Sequence, residues 1–189
     1  MIDQALIFLR DELNTYILAR TNSTNFDVRL SKIATEAGKY AFPEESIALT
    51  IFNIEEDRLL KDHLPEYTMI NGQQVRQEPE LKLSLNIMFA ANFKIYEEAW
   101  KAISLVLTYF QSHLSFTSAE YPALSTRIGK LTVNLELLNF EQLNQVWAYL
   151  GAKHLPSVTY RLRVVIIQDE VSSGVQQPIT SIQTNIHTK

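Results

Sequence analysis

The sequence predicts an α+β domain: a mostly antiparallel sheet, apolar on one face, with helices packed over that face, followed by an extended C-terminal arm. Three observations carry this expectation. Long segments near residues 2–17 and 96–114 repeat apolar residues at three- and four-residue steps, the period of an amphipathic helix. Several shorter segments alternate apolar and polar residues, the period of a half-buried strand. From Asp169 to Lys189 the chain has no aromatic residue, one Pro and many Ser, Thr and Gln, a mix that cannot bury enough to fold alone. The division is therefore a domain over 1–168 and an arm over 169–189.

The first helix carries Ile2, Ala5, Leu6, Leu9, Leu13, Tyr16 and Ile17 on one stripe. Asp3, Asp11 and Glu12 precede Arg20, which suits the helix dipole. Its end is expected near Arg20, where Thr21-Asn22-Ser23-Thr24-Asn25 is a run of turn formers. Strands follow with Phe26, Val28 and Leu30, and with Ile47, Leu49 and Ile51, on their inner sides. The clearest strand runs from Leu81 to Phe89, where every second residue is apolar. The intervening stretch from Glu55 to Glu80 is too long for a plain connection. Its Asn71-Gly72 pair, flanked by Tyr67–Ile70 and Gln73–Arg76, predicts a projecting hairpin with a type I′ turn.

A second helix has Asn92 as its expected N-cap and a wide apolar face: Tyr96, Ala99, Trp100, Ile103, Val106, Leu107, Phe110 and Leu114. After a loop with Pro122, a strand places Leu131, Val133, Leu135 and Leu137 on one side. The third helix opens with Asn139 and Gln142 spaced for a capping box, and Leu138 is spaced to staple to Leu143. Val146, Trp147 and Leu150 continue its apolar face, and Gly151 suits the C′ position. A last strand follows Pro156, with Val158, Tyr160, Leu162, Val164 and Ile166 inward. The opposite sheet face is then expected to carry Lys82, Ser84, Asn86, Lys130, Asn134, Glu136, Arg161 and Arg163. Such a face either meets solvent, as is usual for antiparallel sheets, or meets a repeated partner.

Composition excludes several functions. The 189 residues contain no cysteine, so disulfides, thiolate catalysis and cysteine-held metals are out. Lys and Arg number 17 against 21 Asp and Glu, a net charge of −4, with no basic stripe for nucleic acid. No apolar run reaches the ~18 residues that span a bilayer, so no membrane insertion is expected. Met-Ile-Asp-Gln lacks the basic start of a secretory leader, which points to assembly in the cytoplasm. Phosphate-binding glycine loops, nucleophile elbows and H-E-x-x-H are absent. His63, His113, His154 and His187 lack metal-ligand spacing. Glu97 and Glu98 point about 100° apart on a helix and suit its dipole better than acid–base chemistry. Glu55-Glu56-Asp57-Arg58 is a charged strand end without calcium-loop spacing. No catalytic residue, cofactor or metal is expected.

Four stretches in order carry a resemblance. They are Val28-Arg29-Leu30-Ser31-Lys32-Ile33; Ile51-Phe52-Asn53-Ile54-Glu55-Glu56-Asp57-Arg58; Leu85 to Phe93 with Tyr96-Glu97-Glu98-Ala99; and Glu141 to Trp147 leading through Leu150-Gly151-Ala152-Lys153-His154-Leu155-Pro156-Ser157-Val158. Over about residues 1–168 the chain resembles the N-terminal domain family of the cap, or tube-terminator, protein of extracellular contractile injection systems. These are phage-tail-like particles of the Photorhabdus virulence cassette and antifeeding prophage type. His154 stands where relatives usually carry an aromatic residue, and the Glu55–Glu80 insertion falls where members differ.

The resemblance implies a structural protein. It would form a homo-oligomeric, six-fold ring at the baseplate-distal end, close the inner tube and the sheath, and end their polymerisation without catalysis or cofactor, in a particle released from the cell. The family motif residues Asn53, Asn92, Phe93, Trp147, Gly151 and Pro156 fall at core or capping positions. Candidate interface residues are Asn71 and Gly72 of the hairpin and Ile179, Ile182 and Ile186 of the arm. Thr180, Ile182, Thr184 and Ile186 alternate with Ser181, Gln183 and Asn185, which suits an added strand on another subunit or on the sheath. The alternatives are a terminator or connector of a true phage tail, or an accessory interaction module. More remote is a small-molecule enzyme using Lys153, His154 and carboxylates of the Glu55 loop.

Overall fold

In the computed structural model the structure describes residues 1–23, 26–56, 66–70, 73–77 and 81–166. The elements are α1 (Ile2–Thr21), β1 (Asp27–Leu30), β2 (Ser46–Glu56), β3 (Glu66–Ile70), β4 (Gln73–Gln77), β5 (Leu81–Asn92), α2 (Tyr96–Ser112), β6 (Ser115–Phe116), β7 (Ile128–Leu135), α3 (Phe140–Leu150) and β8 (Ser157–Ile166). Six strands form one sheet in the order β1-β2-β5-β8-β7-β6, and β3 and β4 form a separate two-stranded ribbon. Only β1–β2 is a parallel pair; β2–β5, β5–β8, β8–β7 and β7–β6 are antiparallel. The α+β class with a mostly antiparallel sheet is as expected.

The alternation of side chains along β5 sets the layers. Leu85, Ile87, Phe89 and Ala91 join Ile47 and Leu49 of β2, and Leu131 and Val133 of β7, in one core closed by α1 and α2. From α1 come Ala5, Phe8, Leu9, Leu13 and Ile17, all buried. Phe8, which the expected stripe omits, packs edge-on against Phe116 and Tyr121 at 5.4 and 5.7 Å. Asn22 ends α1 in the left-handed conformation (φ 49°), and its N–H donates to the Leu18 carbonyl at 2.9 Å.

The expectation that all helices cover one face needs correction for α3. Ala48, Met88 and Ala90 point the other way, where Trp147 of α3 and Ile33 and Phe42 close a second, smaller core. Helices α1 and α2 cover one face, while α3 and the 33–42 loop cover the β2–β5 half of the other. The physical reason lies in Ile87-Met88-Phe89-Ala90-Ala91. Its side chains are apolar on both sides, so both need shielding from water.

Three smaller expectations also change. Asn92 does not cap α2. It ends β5, and its Nδ2 donates to the Phe42 and Pro43 carbonyls at 3.5 and 3.4 Å. The N-cap is Ile95, without a side-chain cap bond, so Glu97 and Glu98 in the first turn are left to complement the dipole. The buried stripe of α2 is narrower than expected: Ala99, Ala102, Ile103, Val106, Tyr109 and Phe110 face inward, while Tyr96, Trp100 and Leu107 are exposed. On β7, Leu135 and, beyond its end, Leu137 are exposed rather than core.

The expected capping of α3 is present at both ends. Gln142 N–H donates to Asn139 Oδ1 at 2.8 Å and Asn139 N–H to Gln142 Oε1 at 3.0 Å, a complete capping box. Gly151 closes the helix at φ 68°. Asn139→Ala removes one of these bonds and leaves an N-terminal N–H to water, so it is expected to lower stability by about 1 kcal/mol in urea unfolding.

Candidate interface surfaces

Assembly proteins act through edges and faces, and the sheet has two outer edges. On the β1 side, Asn14 of α1 stands in for a missing strand. Its Nδ2 donates to the Val28 carbonyl at 3.0 Å, and its Oδ1 accepts from Val28 N–H at 2.8 Å. β1 shields β2 only at Ser46–Leu49. Beyond that, β2 runs on to Glu56 with β5 on its inner side and, among the described residues, no strand on its outer side. The opposite edge, β7, is shielded by β6 only at Leu131 and Thr132.

Asn53 lies on this outer stretch of β2 and is exposed, so it is neither core nor cap as expected. The register with β5 shifts between Ile51 and Asn53, marking a bulge. There Asn53 Nδ2 donates to Glu55 Oε1 at 2.7 Å and Asn53 Oδ1 accepts from Ile54 N–H at 2.9 Å. Three of the other residues make contacts within the fold. Phe93 is half-buried against Phe26, ring centroids 5.4 Å apart. Trp147 is 4% exposed and sits beside His154. Pro156 is buried, and its carbonyl accepts from Ala91 N–H at 2.9 Å, tying the start of β8 to the end of β5.

The β8–β7 half of the second sheet face is polar. Register places Asn86, Arg161 and Asn134 in one cross-strand row, and Ser84, Arg163 and Thr132 in the next. Arg161 Nη2 donates to Glu136 Oε1 at 2.8 Å. This row was legible from the strand alternation. The exposed apolar side chains were not: Leu137 (83%), Phe140 (93%) and Tyr149 (78%) flank or lie on α3, and Tyr96 packs edge-on against Trp100 on α2. The one available signal was the width of the α2 apolar face, more than a single core stripe accommodates.

Chemistry is thinly represented. Among the described residues no cluster of His, Asp and Glu is arranged to hold a metal, and no helix is long and apolar enough to cross a membrane. His113 stacks on Tyr109, with centroids 4.4 Å apart. Burial pushes the Tyr109 and Tyr160 hydroxyls well above the usual phenol range, as core tyrosines require. The concavities are open depressions. One of about 500 Å³ lies between α1, β1 and residues 43–46; another of about 670 Å³ lies beside Trp100 and Lys101. Neither is lined by Lys153, His154 or Glu55. Asn71, Gly72, Ile179, Ile182 and Ile186 lie outside the described residues. The pairing of Ile70 with Gln73, and of Glu66 with Gln77, fits a two-residue connection at 71–72.

Solved structures that share this fold include two described as terminators. One is the sheath/tube terminator of the extracellular contractile injection system PVC in its extended state, seen by cryo-electron microscopy. It has 14% identity and a TM-score of 0.56, over 94% of this chain and 62% of that one. The other is the tube-terminating cap of the anti-feeding prophage, with 16% identity and a TM-score of 0.59, over 95% of this chain and 61% of that one. The chain thus spans about three fifths of the length of either neighbour. No curated protein matches it. The model of the Pvc16 N-terminal domain matches residues 6–181, nearly the whole sequence, and the chain belongs to the Pvc16 N-terminal domain family.

Proposed function

We propose that the chain is a structural cap of a phage-tail-like contractile injection particle, ending growth of the inner tube and the sheath at the baseplate-distal end. The carrying observation is the family match over 6–181, joined by a fold shared with two proteins that are themselves terminators. Its partners are further copies of itself in a six-fold ring, the inner tube protein and the sheath protein. Catalysis, a cofactor and nucleic acid have no part in it.

The physics of termination is simple. A stacked polymer stops when its last layer is covered by a protein that matches the exposed face below and does not reproduce it above. A ring with one contact repeated around an axis joins two different patches of each subunit. The two sides of the sheet, one bounded by β1 and β2 and the other by β6 and β7, are unlike surfaces of the kind such a contact needs. The arm over 169–189 is a third element available for bridging. Gold labelling of an epitope-tagged chain on purified particles tests the reading. Label confined to the baseplate-distal end is expected; label along the shaft, at the baseplate or absent from particles overturns it.

A further inference from the structure

The edge of β2 past Leu49 is the most conspicuous unfinished feature of the sheet. β1 and its Asn14 clasp satisfy the first part of the edge, and Ser31 N–H still reaches the Leu49 carbonyl at 3.2 Å. From Thr50 to Glu55 no strand among the described residues lies outside it, although β5 pairs its other side except at the Phe52 bulge. An open edge of this kind is a template for a further strand.

We propose that the segment Thr180–Ile186 of one copy adds as a strand to the Thr50–Glu55 edge of β2 in a neighbouring copy. The inference rests on the ring reading for its neighbour, and on three local facts for its geometry. First, the lengths agree: six edge residues meet a seven-residue segment that alternates Thr180, Ile182, Thr184 and Ile186 with Ser181, Gln183 and Asn185. Second, the charges agree. The edge carries exposed Glu55, which repels an acidic strand, whereas residues 171–189 contain no acidic residue and include His187 and Lys189. The bulge at Phe52 and this acidic end keep the edge from pairing at random.

Third, the topology favours exchange between copies. β8 ends at Ile166, paired with Leu81, at the end of the sheet where β2 also ends. Reach is no obstacle: residues 167–179 extend to about 43 Å, and three strand spacings need only about 14 Å. Within one chain, however, this path runs across the end of the sheet where β2 leaves and β5 enters, and connections at one sheet end avoid crossing each other. A neighbour's segment arrives from outside and crosses nothing.

The absence of native cysteine makes the test clean. Full-length chains carrying Asn53→Cys or Ile54→Cys on the edge, each combined with Gln183→Cys or Thr184→Cys, are oxidised at high concentration and run on non-reducing gels. Opposed residues on paired strands lie within disulfide range. Expected is a ladder of covalent oligomers in at least one pairing, lost with Ile182→Asp/Ile186→Asp added. Mixing the two single-cysteine chains should give a disulfide heterodimer. Disulfide-closed monomers alone, or no bond in any pairing, overturn the exchange. Because the assay uses the purified chain, its failure is separable from failure of the cap reading, which particle labelling tests.

Discussion

Phe89→Ala is expected to lower stability by about 3–5 kcal/mol, the range for removing a large side chain from a packed core. Phe89 is fully buried at the middle of β5, between two other strands. Its ring meets Phe110 of α2 at 5.7 Å and Tyr160 of β8 at 5.9 Å, so one deletion loosens the contact between helix and sheet as well as the sheet itself. Neither partner fills the gap cheaply, because Phe110 and Tyr160 are packed against each other at 4.8 Å. The control is Phe140→Ala. It removes the same atoms from a residue that is 93% exposed and should stay within about 0.5 kcal/mol of the parent. Urea unfolding of the pair checks this; equal midpoints for the two variants would contradict the packing.

Trp147→Ala is the second large effect, with a different signature. Trp147 is the only fully buried residue of α3, and Leu143, Val146 and Leu150 around it are partly covered. An eleven-residue helix is marginal without tertiary contacts, whatever its capping. A loss of about 3–5 kcal/mol should therefore fall first on α3 and the 33–42 loop that shares its core. Hydrogen exchange is expected to accelerate across 140–150 while Leu9, Leu13 and Ile103 of the larger core keep their protection. Trp147→Phe, which keeps a ring in the slot, should restore much of the slow exchange at α3. Uniform acceleration through the whole chain would show that the two cores are one cooperative unit.

The contrast between these cores shows what was legible beforehand. The existence and limits of α3 were readable because Asn139, Gln142 and Gly151 do local work: each satisfies backbone groups within a few residues of itself. The α1 stripe and the inward sides of β5, β7 and β8 were readable because one face of each is buried, which leaves a clean period. The side of the sheet on which α3 lies was not readable from α3 at all, since a helix with one apolar face packs equally well on either side. The information sat in β5, where the alternation gives way to the continuous apolar run from Ile87 to Ala91.

Asn92 misled for a related reason. Asparagine immediately before a helix is a good cap, but Asn92 stands four positions before Tyr96, and its amide holds the Phe42–Pro43 turn, a partner some 50 positions away in sequence. The sheet edges were the least legible part. Nothing local to Thr50–Glu55 tells how far β1 extends along β2, because β1 stops where Ser31 turns away. The clasp by Asn14 joins residues that only the tertiary fold brings together. Of the residues singled out by the resemblance, Trp147 and Pro156 are buried and Asn92 and Phe93 half-buried, while Gly151 and Asn53 are exposed.

Particle length tests the cap role most directly. Particles are purified from cells with and without this chain, and their shafts are measured by electron microscopy. Termination by this chain requires that its loss yield open, overlong or length-scattered tubes, with a narrow distribution returning on re-expression. Closed particles of unchanged length in its absence would contradict the role outright.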